Sequence, residues 1–208
     1  MSRLLSINVT HEVLYGDWTG SVGSTGIDKR PVDRRVRVFD DHVDGDSVLD
    51  TSVHGGREKA VYAYAAEDAE FWRDRTSFPV TNGSFGENFT TLGVDCTNAV
   101  IGEKWRVGDV VLQVVQPRFP CVVFAGFWDH DHLVKEFTAE ARPGVYLAIL
   151  QEGTVGAGDA IEVFDVPTHR VTIGEVFRAK SGERELIPHV LRAQLPDDLR
   201  EKLEKLSA

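Results

Sequence analysis

The chain has 208 residues, of which 42% are hydrophobic, and its 23 Lys and Arg against 33 Asp and Glu give a formal net charge of −10. This length and apolar content allow one main domain with a sizeable core and at most a small appendage. The negative charge argues against non-specific binding to nucleic acid or to an anionic membrane. Two cysteines, Cys96 and Cys121, are too few for a disulfide-stapled scaffold, and the sequence has no Cys-x-x-Cys motif or Cys/His cluster for zinc or an iron–sulfur cluster.

The N-terminal segment, MSRLLSINVTHEVLYG, lacks the long apolar region and the cleavage site of a signal peptide. No run of about 18 apolar residues offers a membrane span. The sequence therefore predicts a cytoplasmic protein without a membrane partner.

The first four-fifths of the chain predicts a mostly β fold, a β-barrel with inserted helices. Strands separated by glycine-containing turns are expected at RLLSINV, RRVRVF, TNAVI, VVLQVVQ, VYLAILQ and AIEVF. A helix is predicted over residues 59–75, where apolar side chains recur at helical spacing. These side chains are Val61, Tyr64, Ala65, Ala69 and Trp72. A second, shorter helix is predicted over residues 129–141.

After Pro167 the pattern changes from strand-like to helical. Thr172 and Glu175 have the spacing of a capping box, and leucines then recur at helical intervals. The sequence therefore predicts a β-barrel domain over residues 1–166 and an appendage of three short helices over residues 167–208. None of the expected ligand residues lies in this appendage.

A proline-stiffened turn, GIDKRPV at residues 26–32, carries the neighbouring cations Lys29 and Arg30. Two such cations can clamp a phosphate, Arg as a fork and Lys as a point charge. Taken alone, this segment is more simply interpreted as a solvated turn.

A glycine pair, Gly55 and Gly56, follows His54 and precedes the first predicted helix. Paired glycines let the backbone approach a ligand closely, and the amides at a helix start favour an anion. His54 can donate a hydrogen bond to that ligand or exchange protons near neutral pH. A structural hydrogen-bonding role for this lone histidine is an equal alternative.

The loop NGSFGENF, residues 82–89, presents Glu87 and Asn88 next to each other. An acid and an amide so placed can orient a heterocycle, because the amide offers both a donor and an acceptor. A plain turn is the favoured interpretation of this loop by itself.

The segment QPRFPC, residues 116–121, places Cys121 behind Arg118, Phe119 and Pro120. The arginine favours a thiolate, and the proline restricts the backbone in front of it. A held thiolate suits a soft metal or a covalent reaction. Cys96 has no neighbouring cation and is expected to be a small buried hydrophobic side chain.

Several of these segments, in this order, resemble the MOSC domain family, which is named after the C-terminal domain of molybdenum cofactor sulfurases. They are GIDKRPV, HGGREKAVYAY, GSFGENFTTLG, VVLQVVQPRFPC, RPGVYLAILQEGTVGAGDAIEV and the helical segment. The resemblance covers nearly the whole chain and is greatest to the bacterial YiiM-like branch, in which a three-helix tail follows the barrel. Each motif is weak by itself, whereas their joint order and spacing are specific.

The resemblance implies that the chain binds the molybdenum cofactor, a pterin dithiolene with a phosphate, and that Cys121 is the metal ligand. It further implies reduction of N-hydroxylated bases or hydroxylamines, with Cys121, Glu87 and His54 as catalytic residues. The cofactor-binding residues that it implies are Lys29, Arg30, His54, Gly55, Gly56, Lys59, Asn88 and Arg118. Binding of pyridoxal phosphate is not expected.

A molybdenum reductase of a small N-hydroxylated substrate is the leading hypothesis. Because the sequence has neither ferredoxin-type cysteines nor a Gly-x-Gly-x-x-Gly motif, a separate flavoprotein is expected to deliver the electrons. A homodimer is a further expectation. The rival hypothesis is a non-catalytic carrier of the cofactor or of its sulfur, with a persulfide on Cys121. A metal-free cysteine hydrolase or transferase is disfavoured, because no histidine forms a recognisable nucleophile motif with Cys121.

Overall fold

A computed structural model describes residues 1–49 and 55–207. The strands found there, β1 to β13 in chain order, are Arg3–Thr10, Leu14–Tyr15, Ser24–Thr25, Lys29–Pro31, Val36–Phe39, His42–Val43, Val61–Ala65, Phe89–Leu92, Lys104–Val107, Val110–Pro117, Val145–Gln151, Gly153–Val155 and Ile161–Phe164. The α-helices, α1 to α6, are Ala66–Arg73, Val122–Phe127, Leu133–Glu140, Ile173–Ser181, Ile187–Val190 and Asp197–Ser207. Short 3-10 helices span Asp17–Thr19, Arg57–Lys59 and Arg184–Leu186.

The main sheet has eight strands in the order β13, β9, β10, β11, β7, β8, β1, β4. Its neighbours are antiparallel except for the parallel pair of β7 and β8. The start of β1 is also hydrogen-bonded to the chain just before β13, with Leu4 N donating to Asp159 O at 2.8 Å. Within the described part of the chain, no ladder joins β13 to β4. The sheet-dominated fold with several helices is therefore confirmed, and closure into a barrel stays a prediction.

The chain between residues 59 and 75 does not form the single helix that its pattern predicts. Residues Val61–Ala65 form β7 between β11 and β8, and all five are buried. A strand buried on both faces is apolar at every position, so it satisfies helical spacing by coincidence. The helix begins only at Ala66, where acidic residues enter its first turn.

Three further segments differ from the elements predicted for them. Residues 97–101 were predicted as a strand, but Asp95 accepts hydrogen bonds from Asn98 and folds this segment into a turn with one isolated bridge. The shorter predicted helix is present as α3, although it begins only at Leu133. No element was predicted at Val122–Phe127, where α2 follows Cys121.

The C-terminal tail, residues 167–207 of the described chain, contains α4, α5 and α6. Its capping box is confirmed, since Glu175 N donates to Thr172 Oγ1 at 3.3 Å and Thr172 N donates to Glu175 Oε2 at 2.8 Å. The tail buries Val176 and Leu203 in the same apolar cluster as Trp105 of the main sheet. The helical tail thus completes the core of the sheet, and the division into two domains stays a prediction.

A second, aromatic core is formed around α1, α2 and α3. Its buried members are Ile27, Tyr62, Tyr64, Ala69, Trp72, Val80, Phe85, Phe124, Trp128, Leu133 and Phe137. Its rings pack closely on one another, as in the stack of Tyr64 on Phe85 with centroids 3.9 Å apart. Among the described residues, no helix combines the length and the apolar character that a bilayer crossing requires.

Candidate functional site

A cleft of about 810 Å³, part of it open to solvent, lies beside the aromatic core. The residues that line it lie within the segments 24–29, 47–49, 59–62, 85–88 and 118–123, although not every residue of these segments contributes, and Thr19, Gly55 and Tyr146 complete the lining. The cleft brings together six predicted site residues that are far apart in sequence: Lys29, Gly55, Lys59, Asn88, Arg118 and Cys121. Arg30, Gly56 and Glu87 do not line it, and His54 lies outside the described residues.

Cys121 lies at the N-terminal end of α2 and lines the cleft. Its backbone is extended, with φ −136° and ψ 170°, and its side chain makes no capping hydrogen bond to the helix. The thiol is partly exposed. The extended geometry therefore presents a sulfur atom to the cleft that is not used to cap the helix.

Cys96 has the opposite environment. It is fully buried in the main core, and its sulfur lies 3.6 Å from the hydroxyl of Thr91. Burial raises the pKa of this thiol far above its ordinary value. Cys96 is thus a packed side chain, which agrees with its prediction from sequence.

Arg118 is the most buried of the described charged residues that line the cleft, with only 4% of its surface exposed. Its guanidinium stacks over the ring of Phe124 at 4.3 Å and of Tyr62 at 5.5 Å. Burial acts to lower the pKa of Arg118, but Tyr62, Cys121 and Tyr146 raise it above its ordinary value. Its Nη1 atom is buried and has no hydrogen-bond partner in the described part of the chain.

Lys29 lines the cleft, and its charge is paired with a carboxylate of the protein. Its ammonium is ion-paired with Asp46, whose carboxylate also accepts Nδ2 of Asn88 at 2.9 Å and Oγ1 of Thr10 at 2.9 Å. Burial acts to raise the pKa of Asp46, but Lys29, Asn88 and Thr10 together hold it below its ordinary value. The positive charge of Lys29 is therefore compensated inside the protein.

Arg30 does not join Lys29 in the cleft. Both residues lie in β4, and side chains alternate between the two faces of a strand. The Lys29 side chain is 9% exposed, whereas that of Arg30 is 54% exposed and pairs with Asp28 at 2.8 Å. The two cations therefore do not form a joint clamp on one face, and cofactor binding by Arg30 stays a prediction.

Glu87 and Asn88 also have different surroundings. The carboxylate of Glu87 accepts hydrogen bonds from Gly83 N at 2.6 Å, Phe85 N at 3.0 Å and Thr90 Oγ1 at 2.8 Å. Burial raises its pKa to about 6, against the opposing effect of these hydrogen bonds. Glu87 thus organises its own loop.

Asn88 reaches the edge of the cleft instead. Its Oδ1 accepts Tyr62 N at 3.1 Å, while its Nδ2 donates to Asp46. Both ends of the amide are therefore engaged in holding the cleft wall.

The glycine pair has the conformation that favours glycine, with φ 81° at Gly55 and 75° at Gly56. Only a three-residue 3-10 helix, Arg57–Lys59, follows it, not the longer helix that was predicted. This short turn presents few aligned amides, so the expected anion site at a helix start is weaker than the sequence suggested. Lys59 itself lines the cleft.

Sequence reasoning missed the tyrosines of the cleft. Tyr62 in β7 and Tyr146 in β11 lie with ring centroids 5.2 Å apart, and both lie next to Arg118. The Tyr62 hydroxyl donates to Pro143 O at 2.9 Å. In the sequence, Tyr62 and Tyr146 lie in two apolar runs that are far apart along the chain. They indicate a shared aromatic wall only once the two runs are known to pair as β7 and β11.

Comparisons with known proteins identify a family for the chain. The MOSC domain family model matches residues 50–162, more than half of the chain. YflK of Bacillus subtilis is 37% identical over 147 residues, covering 71% of this chain and 66% of YflK. A protein named reductase from Gibberella moniliformis is 27% identical over 155 residues, covering 71% of this chain and 28% of the reductase. This chain thus spans less than two thirds of either curated relative.

The fold is similar over its full length to a solved structure. The crystal structure of YiiM from Geobacillus stearothermophilus superposes with a TM-score of 0.82 at 28% sequence identity, covering 100% of both chains. The helical tail is therefore part of the shared architecture.

Proposed function

Because this chain belongs to the MOSC domain family, we propose that it binds the molybdenum cofactor in the cleft and reduces N-hydroxylated compounds. One observation carries the proposal: Arg118 is buried in the wall that also holds Cys121, with an Nη1 that no described residue satisfies. A buried donor without a partner is costly to keep. An anionic ligand in the cleft would provide the missing acceptor and charge.

The residues of the cleft fit the chemistry of this cofactor. Cys121 offers one soft sulfur ligand, which is what a metal held by a dithiolene still requires from the protein. Arg118 and Lys59 suit the phosphate, because charge-assisted hydrogen bonds to phosphate are strong. The aromatic faces of Tyr62, Phe85 and Tyr146 suit a flat heterocycle.

Reduction of an N–OH group to N–H and water consumes two electrons and two protons. When bound, the molybdenum centre would supply the two-electron exchange that this reduction requires. A separate flavoprotein supplies the electrons. The chain's own residues hold the metal at the Cys121 sulfur, bind the cofactor through Arg118 and Lys59, and deliver protons.

Three residues are proposed as proton donors. Glu87 has a suitable pKa of about 6, but its carboxylate is buried in its loop, so it would act after a local rearrangement. His54 stays a proposal from sequence. Tyr146 is a third candidate, because it lines the cleft beside Arg118; burial raises the pKa of its hydroxyl above the ordinary value, and the charge of Arg118 acts in the opposite direction.

The rival proposal is a carrier that holds the cofactor or its sulfur without turnover. It uses the same Cys121 and Arg118, so the cleft alone does not distinguish it from a reductase. The relative named reductase favours an enzyme, although this chain covers only 28% of that protein.

A small-molecule N-hydroxylated substrate, a cytoplasmic location and a homodimer complete the proposal.

The test is analysis of molybdenum and pterin in protein made in a cofactor-competent host, followed by viologen-driven reduction of a hydroxylamine. Cys121→Ala should abolish turnover and lower the sulfur count at molybdenum in X-ray absorption, while Cys96→Ala should retain both. Binding of the cofactor without turnover by the wild-type protein would favour the carrier. Full turnover by Cys121→Ala would contradict the metal-ligand role.

A further inference from the structure

The turn that joins β10 to α2, residues 117–121, has anchors on two sides. Arg118 packs against the cleft, where it contacts the rings of Tyr62 and Phe124. The next side chain, Phe119, packs instead on the C-terminal tail. Its ring stacks on Phe177 of α4, with centroids 5.3 Å apart and planes inclined by 12°.

Phe177 is a fixed support for this ring. It is fully buried, and α4 is held at its start by the capping box of Thr172 and Glu175. The same end is tied to the segment before β9, because Ile173 N donates to Ala99 O at 2.9 Å and Gly174 N donates to Thr97 O at 2.8 Å. Motion of Phe119 relative to the main core is therefore restricted.

Cys121 packs against the aromatic core, but few hydrogen bonds hold it. Its side chain makes no capping hydrogen bond, and its carbonyl accepts Ala125 N at a long 3.2 Å. The position of the sulfur relative to Arg118 thus depends both on this packing and on the turn that precedes Cys121. Phe119 is the residue of that turn that packs on the tail.

The tail approaches the cleft at a second place. The carboxylate of Asp198 in α6 has a lowered pKa, mainly through its hydrogen bond with Lys202, and attraction to the cleft residue Lys59 contributes. This attraction is secondary, because Asp198 forms its direct hydrogen bond with Lys202, at 2.9 Å.

We propose that Phe177 is a positioning residue: through its stack on Phe119, the helical tail holds the turn that keeps Cys121 and Arg118 together at the cleft. The tail then contributes to the site without supplying a ligand. The geometric part concerns this chain alone, while its consequence for cofactor retention rests on the proposed function.

Hydrogen exchange measured by mass spectrometry on the cofactor-free protein tests the geometric part. Phe177→Leu keeps an apolar side chain but removes the stacked ring. We expect exchange in residues 118–125 to become about tenfold faster, because local opening sets the rate there. Phe119→Leu should have the same effect. The double variant should exchange little faster than either single variant, because both substitutions remove the same ring stack.

Leu203→Ala is the matched control, because Leu203 is a fully buried tail residue of α6. It should lower the melting temperature without accelerating exchange in residues 118–125. If Phe177→Leu does not fold, Phe119→Leu carries the same test from the side of the turn. Unchanged exchange in the folded ring variants, or equal acceleration in Leu203→Ala, would overturn the proposal.

Cofactor retention after gel filtration tests the consequence. We expect Phe177→Leu to retain about tenfold less molybdenum than the wild type, because a small misplacement of a ligand weakens a preorganised site. If Phe177→Leu exchanges faster but retains as much molybdenum as the wild type, Phe177 has no role in the site. Faster exchange in a protein whose wild type takes up no molybdenum would support the positioning of the turn and reject the proposed function instead.

Discussion

The ammonium group of Lys29 and the carboxylate of Asp46 form an ion pair at the edge of the cleft, and both side chains are almost fully buried. A buried ion pair is costly to break by removing one partner, because the other charge is left without compensation. The first role of Lys29 is therefore in the architecture of the cleft wall, and any contact with a ligand comes in addition.

Lys29→Met should lower the free energy of unfolding by about 3 kcal/mol or more, since it leaves Asp46 as an uncompensated buried charge. Urea denaturation measures this loss. The double variant Lys29→Met/Asp46→Asn should recover part of it, because the uncompensated charge is removed while the amide oxygen can still accept a hydrogen bond from Thr10. Arg30→Met is the control on the same strand and should cost far less, since Arg30 is largely exposed. Equal losses for Lys29→Met and Arg30→Met would contradict this role.

Glu87 should make the stability of the protein depend on pH. Its pKa is raised from 4.5 to about 6 in the folded state, so the folded protein binds this proton more tightly than the unfolded chain. The resulting stabilisation is fully present below pH 4.5 and is lost as the pH rises through about 6. The loss amounts to about 2 kcal/mol.

The measurement is the unfolding free energy of the wild type and of Glu87→Gln between about pH 4.5 and about pH 7. Glutamine keeps the shape but does not titrate, so the wild type should lose stability across this range relative to the variant. Asp46, whose pKa is lowered, acts only at more acidic pH and does not interfere. Parallel curves for the two proteins would show that Glu87 titrates alike in the folded and unfolded states.

Arg118→Met should separate function from stability. The buried guanidinium has an unpartnered Nη1, so replacement by an apolar side chain of similar length should leave the unfolding free energy of the cofactor-free protein unchanged or raise it. Cofactor affinity should fall roughly 10- to 100-fold, which corresponds to one lost charge-assisted contact. Arg37→Met, at a side chain 61% exposed, removes the same charge and should alter neither quantity. A large loss of stability in Arg118→Met would indicate a structural role.

Gly83 and Gly158 offer a matched pair of substitutions. Both have positive φ, 92° and 93°, so alanine is strained at either position. A Cβ at Gly83 would lie 2.1 Å from the carbonyl oxygen of Lys29, whereas a Cβ at Gly158 would meet no atom within 4 Å. Gly158→Ala should cost about 1 kcal/mol, and Gly83→Ala about 3 kcal/mol or more, because the strand that carries Lys29 must shift. Thermal unfolding of both variants measures the difference, and equal costs would show that the close approach is readily relieved.

The sequence by itself determined the features that depend on neighbours a few residues apart. The capping box of Thr172 and Glu175, the strands β10 and β11, and the contrast between Cys121 and Cys96 follow from local chemistry. The family followed from the order and spacing of short motifs, which does not require a structure.

Only the tertiary structure decided which of these residues lie close together and which already have ion-pair or hydrogen-bond partners within the protein. Lys29 and Arg30 are adjacent in sequence, but strand alternation and the distant Asp46 give them different surroundings. Burial on both faces turned the predicted start of a helix into β7, and the pairing of β7 with β11 brought Tyr62 and Tyr146 together. Burial and long-range pairing depend on segments tens of residues apart, and a local pattern carries no information about them. For the same physical reason the stack of Phe119 on Phe177, 58 residues further along the chain, emerged only from the folded molecule.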